Sequence, residues 1–174
     1  MNTANKLTIT RIALIPIFLA ILYIGFPGSR YVAMAVFFFA GLTDFVDGYI
    51  ARTRDQVTDF GKFMDPLADK ILAFSAMLWF IEQGVIPSWA VLIVIIREFL
   101  VTALRLVAID HGRVIAAAIS GKVKTAVTVV SLTLMFLTLP QWLIYLLIAA
   151  IDVTTVVSGV EVFIKNKDAL NWKK

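Results

Sequence analysis

The chain has 174 residues, of which 60% are hydrophobic, with a mean hydropathy of +0.90, against about 45–50% apolar residues in soluble domains. That balance excludes an ordinary water-soluble domain and identifies an integral membrane protein. The absence of cysteine excludes disulfides and thiolate metal sites, and the net charge of +4 matters for its distribution, which reports orientation in the bilayer.

A hydrocarbon core of about 30 Å needs roughly 20 mostly apolar residues per helix, and six stretches qualify: 5–26, 30–52, 59–82, 87–110, 120–139 and 141–165. Lys6 and Arg11 precede the first apolar run, but "PGSRYV" after it is no small-residue cleavage site, so a removable signal peptide is a poor reading. Asn5, Thr8 and Arg11 read equally as a helix start at the interface and as substrate contacts. The breaks "GFPGS", "EQGVIPS" and "TLPQ" alternate with charged segments near 53–58 and 110–120. Placing the charged breaks and both termini in the cytoplasm puts 15 of the 16 Lys and Arg residues on or toward that side, with Arg30 alone opposite. The expected fold is therefore all-α, six transmembrane helices with both termini cytoplasmic. No repeat or second domain is visible, so 1–174 reads as one domain whose chemistry sits among the helices, in a polar cavity open to the cytoplasmic side.

The second stretch ends in "DFVDGYIAR", and six of the twelve acidic residues, Asp44, Asp47, Asp55, Asp59, Asp65 and Asp69, fall between 44 and 69. At about 100° per residue, Asp44, Asp47, Gly48, Ala51 and Arg52 share an arc of about 140°, and Gly61, Asp65 and Asp69 share about 80°. If the chain turns near residue 56, all four inner aspartates come to similar depth, about 14–20 Å from the turn. Four carboxylates there repel one another and demand countercharge. Hard divalent cations, Mg²⁺ or Mn²⁺, supply it, and Mg²⁺ commonly shares its coordination with substrate phosphates. Gly48 and Ala51 clear space for a ligand, and Arg52 suits a phosphate. Asp55 and Asp59 flank the turn and read as helix-end charges. On spacing alone, a carboxylate-lined ion pathway remains open beside the phosphate site.

The stretch "DFVDGYIARTRDQVTDFGKFMDPLAD" resembles the CDP-alcohol phosphotransferase family at all eight fixed positions of its signature, Asp-x2-Asp-Gly-x2-Ala-Arg-x8-Gly-x3-Asp-x3-Asp. The resemblance implies a six-helix membrane enzyme in which two metals clamp the diphosphate of a CDP-linked substrate and an acceptor alcohol displaces CMP. It implies metal ligation by Asp44, Asp47, Asp65 and Asp69, with Asp69 also the general base. It further implies a CDP pocket at Gly48, Ala51, Arg52 and Gly61, a homodimer, and a place in the bacterial cytoplasmic membrane among its lipids. No nucleic-acid partner is expected.

The fourth stretch carries Arg97, Glu98 and Arg105 within "VIIREFLVTALRLVA", and the fifth opens with "SGKVKTAV". Glu98 and Arg105 are seven residues apart and so share a face, while Arg97 sits about 80° from Arg105. Membrane-embedded arginines face a cavity or a partner. Arg97, Arg105 and Lys122 form a cationic patch suited to an acceptor phosphate, with Glu98 able to neutralise one arginine; Lys124 reads equally as a snorkelling helix-end lysine. These stretches and "NKLTITRIALIP" are similar to the branch of the family that transfers a phosphatidyl group from CDP-diacylglycerol to sn-glycerol 3-phosphate. The N-terminal "TANKLT" departs from that branch, which commonly has a proline before the asparagine. Phosphatidylglycerol, serine or an inositol phosphate as acceptor, a membrane prenyltransferase and a cation transporter are the rival readings. His111 and Arg113 read as loop residues, Trp142 and Trp172 as interfacial anchors. Asp152, amid "LLIAAIDVTTVVSG", is read either as a cross-helix bond or as cavity lining.

Overall fold

The computed structural model describes residues 3–53, 59–110 and 118–167, with side chains described outside 3–9, 11, 42–66, 68, 69 and 110. Six helices run through them: α1 (Thr3–Ile24), α2 (Ser29–Thr53), α3 (Asp59–Glu82), α4 (Ser88–Asp110), α5 (Ile119–Met135) and α6 (Gln141–Lys165), with no strand among the described residues. The helices stop where the sequence supplies breakers. Gly25 and Gly28 between α1 and α2, and Gly84 between α3 and α4, have φ of 67°, 89° and 68°, a region that favours glycine. Pro140 stands at the N-cap of α6 with φ −65° and ψ 146°. Gln141–Lys165 is long and apolar enough to cross a membrane, and Ile12–Ile24 and Ser29–Gly41 are shorter apolar helical segments. In α4 the apolar run is interrupted by Arg97, Glu98 and Arg105.

The described contacts divide into two compact units. In the first, Met1–Trp79 with Leu132–Thr138, α1 packs on α2. Phe136 is the hub of an aromatic cluster. Its ring centroid lies 6.1 Å from Phe18 of α1, 6.1 Å from Phe37 of α2 and 5.9 Å from Trp79 of α3, in edge, tilted and stacked arrangements. Such offset and edge geometries suit the aromatic quadrupole and add to dispersion, the main source of packing energy between helices in lipid. Phe37 precedes Asp44 by seven residues, so the packed rings sit about 10 Å along α2 from the first motif aspartate.

Arg30 adds a polar clasp to this unit. Its guanidinium lies 5.8 Å from the Trp79 ring centroid, and Nη2 donates a long hydrogen bond, 3.4 Å, to the carbonyl of Met135, the last residue of α5. A cation at a helix C-terminus and over an aromatic face is favourable in both contacts. Arg30→Met is expected to cost about 1 kcal/mol, read as a melting point a few degrees lower in detergent; an unchanged melting point counts against the clasp.

The second unit comprises Phe80–Ser131 and Leu139–Lys174. Here α4 packs on α6. The buried residues of α6, Ile144, Leu147, Ile148, Ile151, Thr155, Ser158, Gly159 and Val162, recur every three or four positions and form one face. Val153, Val156, Val157, Val160 and Ile164 are exposed and equally apolar, the pattern of a helix whose outer face meets hydrocarbon. Val101 and Leu104 of α4 form a core with Val162, and Ala118 and Phe163 pack against it. Arg97 bonds Ser158 across the same two helices. Residue numbers therefore rise together along α4 and α6, which run parallel. They run oppositely along α5, where Lys124 meets Glu98 and Ala118 meets the core at Val101 and Leu104.

Candidate active site

The backbone of α2 is helical through residues 44–52, and that of α3 through 61–69. The i, i+3 spacing of Asp44 and Asp47 and the i, i+4 spacing of Asp65 and Asp69 therefore each lie on one helical face. The side chains at Asp44, Asp47, Gly48, Ala51, Arg52, Gly61, Asp65 and Asp69 lie outside the described residues. Asp59 is the first residue of α3, where a carboxylate complements the positive end of the helix dipole. His111 and Arg113 also lie outside the described residues, as does Trp172.

The cationic residues of the second unit are described in atomic detail. Glu98 is buried on α4, and its Oε1 accepts hydrogen bonds from Arg97 Nη1 at 2.7 Å and from Lys124 Nζ at 2.6 Å. Arg97 Nη2 donates to Ser158 Oγ of α6 at 2.9 Å, and Ser158 in turn donates to the Thr155 carbonyl at 3.0 Å. Three helices thus meet at one polar knot whose charged side chains are 10–13% exposed. These three groups, two cations and one carboxylate, sum to a charge of +1. Charge-assisted bonds of this length are strong, and in a medium of low dielectric the uncompensated charge attracts an anion.

Arg97 has further capacity. An arginine offers five N–H donors, and the two used here leave three. One of the three, Nε–H, is buried with no hydrogen-bond partner among the described residues. A buried donor without a partner is costly. Arg105 and Lys122 are exposed. Lys124, read from the sequence either as part of the cationic patch or as a snorkelling lysine, is a buried ion-pair partner, 8% exposed.

The family model for CDP-alcohol phosphatidyltransferase matches residues 1–158, which include all eight motif positions. The chain belongs to this family. As a CDP-alcohol phosphatidyltransferase it is similar along almost its whole length to curated bacterial members. It is 41% identical over 187 aligned positions, 97% of both chains, to the CDP-diacylglycerol–glycerol-3-phosphate 3-phosphatidyltransferase of Bacillus subtilis strain 168. It is 40% identical over 166 positions, 92% of this chain and 79% of the relative, to a probable phosphatidylglycerophosphate synthase of Mycobacterium tuberculosis. The enzyme of Salmonella typhimurium bearing the same name as that of Bacillus is 36% identical over 163 positions, 90% and 88% of the two chains.

Within this member of the family, two features of the described site escape sequence reasoning. Ser158 sits 61 residues from Arg97, and Lys124 sits 26 residues from Glu98; no local spacing links either pair. The available signal was the recurrence of Asp152, Thr155, Ser158 and Gly159 at steps of three and four along one face of α6. Asp152 Oδ1 is buried without a hydrogen-bond partner among the described residues, which argues against a cross-helix bond from that atom.

Proposed function

We propose that the chain transfers the phosphatidyl group of CDP-diacylglycerol to sn-glycerol 3-phosphate, giving phosphatidylglycerol phosphate and CMP. The observation that carries this reading is the 41% identity over 97% of both chains to an enzyme named for that reaction. The setting is a six-span protein of the bacterial cytoplasmic membrane, a single domain over 1–174, both termini cytoplasmic, with a polar cavity open to that side. The chain works as a homodimer among membrane lipids.

The 1-hydroxyl oxygen of glycerol 3-phosphate attacks the β-phosphorus of CDP-diacylglycerol. The new P–O bond forms as the bond from that phosphorus to the CMP oxygen breaks, and the hydroxyl proton passes to Asp69. Asp44, Asp47, Asp65 and Asp69, hard oxygen donors paired on the faces of α2 and α3, fit two divalent ions, Mg²⁺ or Mn²⁺, whose chemistry when bound is to neutralise the diphosphate and the departing CMP. Gly48, Ala51 and Gly61 leave room for the nucleotide, and Arg52 holds a phosphate. Arg97, Arg105 and Lys122 take the acceptor's phosphate, with the net positive knot around Glu98 supplying the field.

CMP release from CDP-diacylglycerol, assayed on the purified chain with Mg²⁺ or Mn²⁺ and each candidate acceptor, tests the reading. Stimulation by glycerol 3-phosphate and inhibition by CMP are expected; stimulation instead by phosphatidylglycerol, serine or an inositol phosphate reassigns the acceptor, and no CMP release with any acceptor counts against the phosphatidyltransferase reading. Arg105→Ala and Lys122→Ala are each expected to raise the glycerol 3-phosphate KM about tenfold, the scale of one lost hydrogen bond to a charged group. The CDP-diacylglycerol KM should hardly change, and equal losses toward both substrates count against the acceptor assignment.

A further inference from the structure

We infer that Ser158 and Gly159 of α6 are positioning residues for the acceptor phosphate, acting through Arg97. The inference rests on the proposed glycerol 3-phosphate reaction and adds a role for the sixth helix, which the carboxylate motif does not reach.

Arg97 leaves α4 and must cross to α6, because its Nη2 bonds Ser158 Oγ at 2.9 Å. The stem follows the same path. A Cβ built on Gly159 would lie 3.0 Å from Arg97 Cγ and 3.8 Å from Nε, so the arginine stem packs against the glycine more tightly than a side chain at 159 ordinarily allows. Ser158 is fully buried, and its own proton is committed to the Thr155 carbonyl at 3.0 Å, which turns its oxygen lone pairs toward Arg97. Glu98 fixes Nη1 from the α4 side at 2.7 Å. The guanidinium is therefore held at both terminal nitrogens and along its stem, a flexible side chain reduced to one orientation. The buried Nε–H has no hydrogen-bond partner among the described residues.

That arrangement has the chemistry of an anion receptor. A planar guanidinium grips phosphate through paired N–H groups only if its plane is fixed, and misplacement by even about 1 Å is costly where geometry must be held. Without Ser158 the plane is free to rotate about the Glu98 bond. With a Cβ at residue 159 the stem must shift by a few tenths of an ångström. Both changes act on Arg97 and neither removes charge.

The test is steady-state CMP release by the full chain in detergent micelles, varying glycerol 3-phosphate and CDP-diacylglycerol separately. Ser158→Ala and Gly159→Ala are each expected to raise the glycerol 3-phosphate KM about tenfold, with the CDP-diacylglycerol KM unchanged. Each is then repeated in an Arg97→Ala background, where Glu98 keeps Lys124 as its partner and the chain retains its buried ion pair. If the α6 residues act through Arg97, both become silent there, measured as kcat/KM for glycerol 3-phosphate. Undiminished effects without Arg97, equal effects on both substrates, or wild-type KM values in both single variants overturn the inference while leaving the reaction intact. A wild-type chain that glycerol 3-phosphate does not stimulate overturns both.

Discussion

Asp44→Asn and Asp65→Asn are each expected to cut CMP release more than about 100-fold, since loss of even an outer partner of a metal ligand commonly costs about 10–100-fold. Asparagine keeps the size of aspartate and an oxygen donor but removes the charge, so the substitution isolates electrostatics from packing. Both positions lie on continuous helix, in α2 and α3, and neither change interrupts it. The proposed chemistry needs the lost charge at two moments: to hold divalent ions against the diphosphate, and to let CMP depart with its negative charge neutralised. Asp55→Asn and Asp59→Asn serve as internal comparisons. Asp59 begins α3, where its charge complements the helix dipole for only about 0.3–1 kcal/mol, and both variants are expected to keep wild-type turnover. Full activity in Asp44→Asn or Asp65→Asn sinks the metal assignment; equal loss in all four variants shifts the argument from ligation to helix stability.

Helix placement was legible because its causes are local. The expected stretches 59–82 and 141–165 coincide with α3 and α6, and the expected breaks near Gly25, Gly28, Gly84 and Pro140 hold the positive-φ glycines and the N-cap proline. The fifth stretch was expected to reach 139, but α5 ends at Met135. Phe136 and Leu137 instead close tighter turns onto the Thr133 and Leu134 carbonyls, the residue before Pro140 is disfavoured from helix, and Phe136 turns its ring into the cluster of Phe18, Phe37 and Trp79. The eight-position motif was legible for the same local reason, since it occupies one short run of chain. The cationic site was only half legible. Sharing a face does not mean sharing an environment: Glu98 is buried while Arg105, two turns on, is exposed. The partners of Glu98 and Arg97 on α5 and α6 are tertiary, and periodicity assigns faces without pairing them.

Glu98→Gln is expected to cost about 3–5 kcal/mol, the scale for removing one member of a buried ion pair. One oxygen, Oε1, receives both Arg97 and Lys124, so its neutralisation leaves two unpaired cations facing each other, and the local charge rises from +1 to +2. A glutamine carbonyl can still accept hydrogen bonds, which preserves geometry in part, but it cannot offset like-charge repulsion at low dielectric. The companion change separates folding from function. Glu98→Gln combined with Lys124→Met returns the local charge to +1 and is expected to recover much of the lost stability, whereas Lys124→Met alone leaves a neutral Arg97–Glu98 pair. That single variant should melt close to wild type yet show a raised glycerol 3-phosphate KM, because the site no longer presents a net positive charge to the acceptor. Thermal unfolding in detergent reads the first effect and substrate kinetics the second. A Glu98→Gln protein as stable as wild type would mean that water or lipid phosphate already screens the knot, and its charge could then contribute little to drawing an acceptor phosphate toward Arg97.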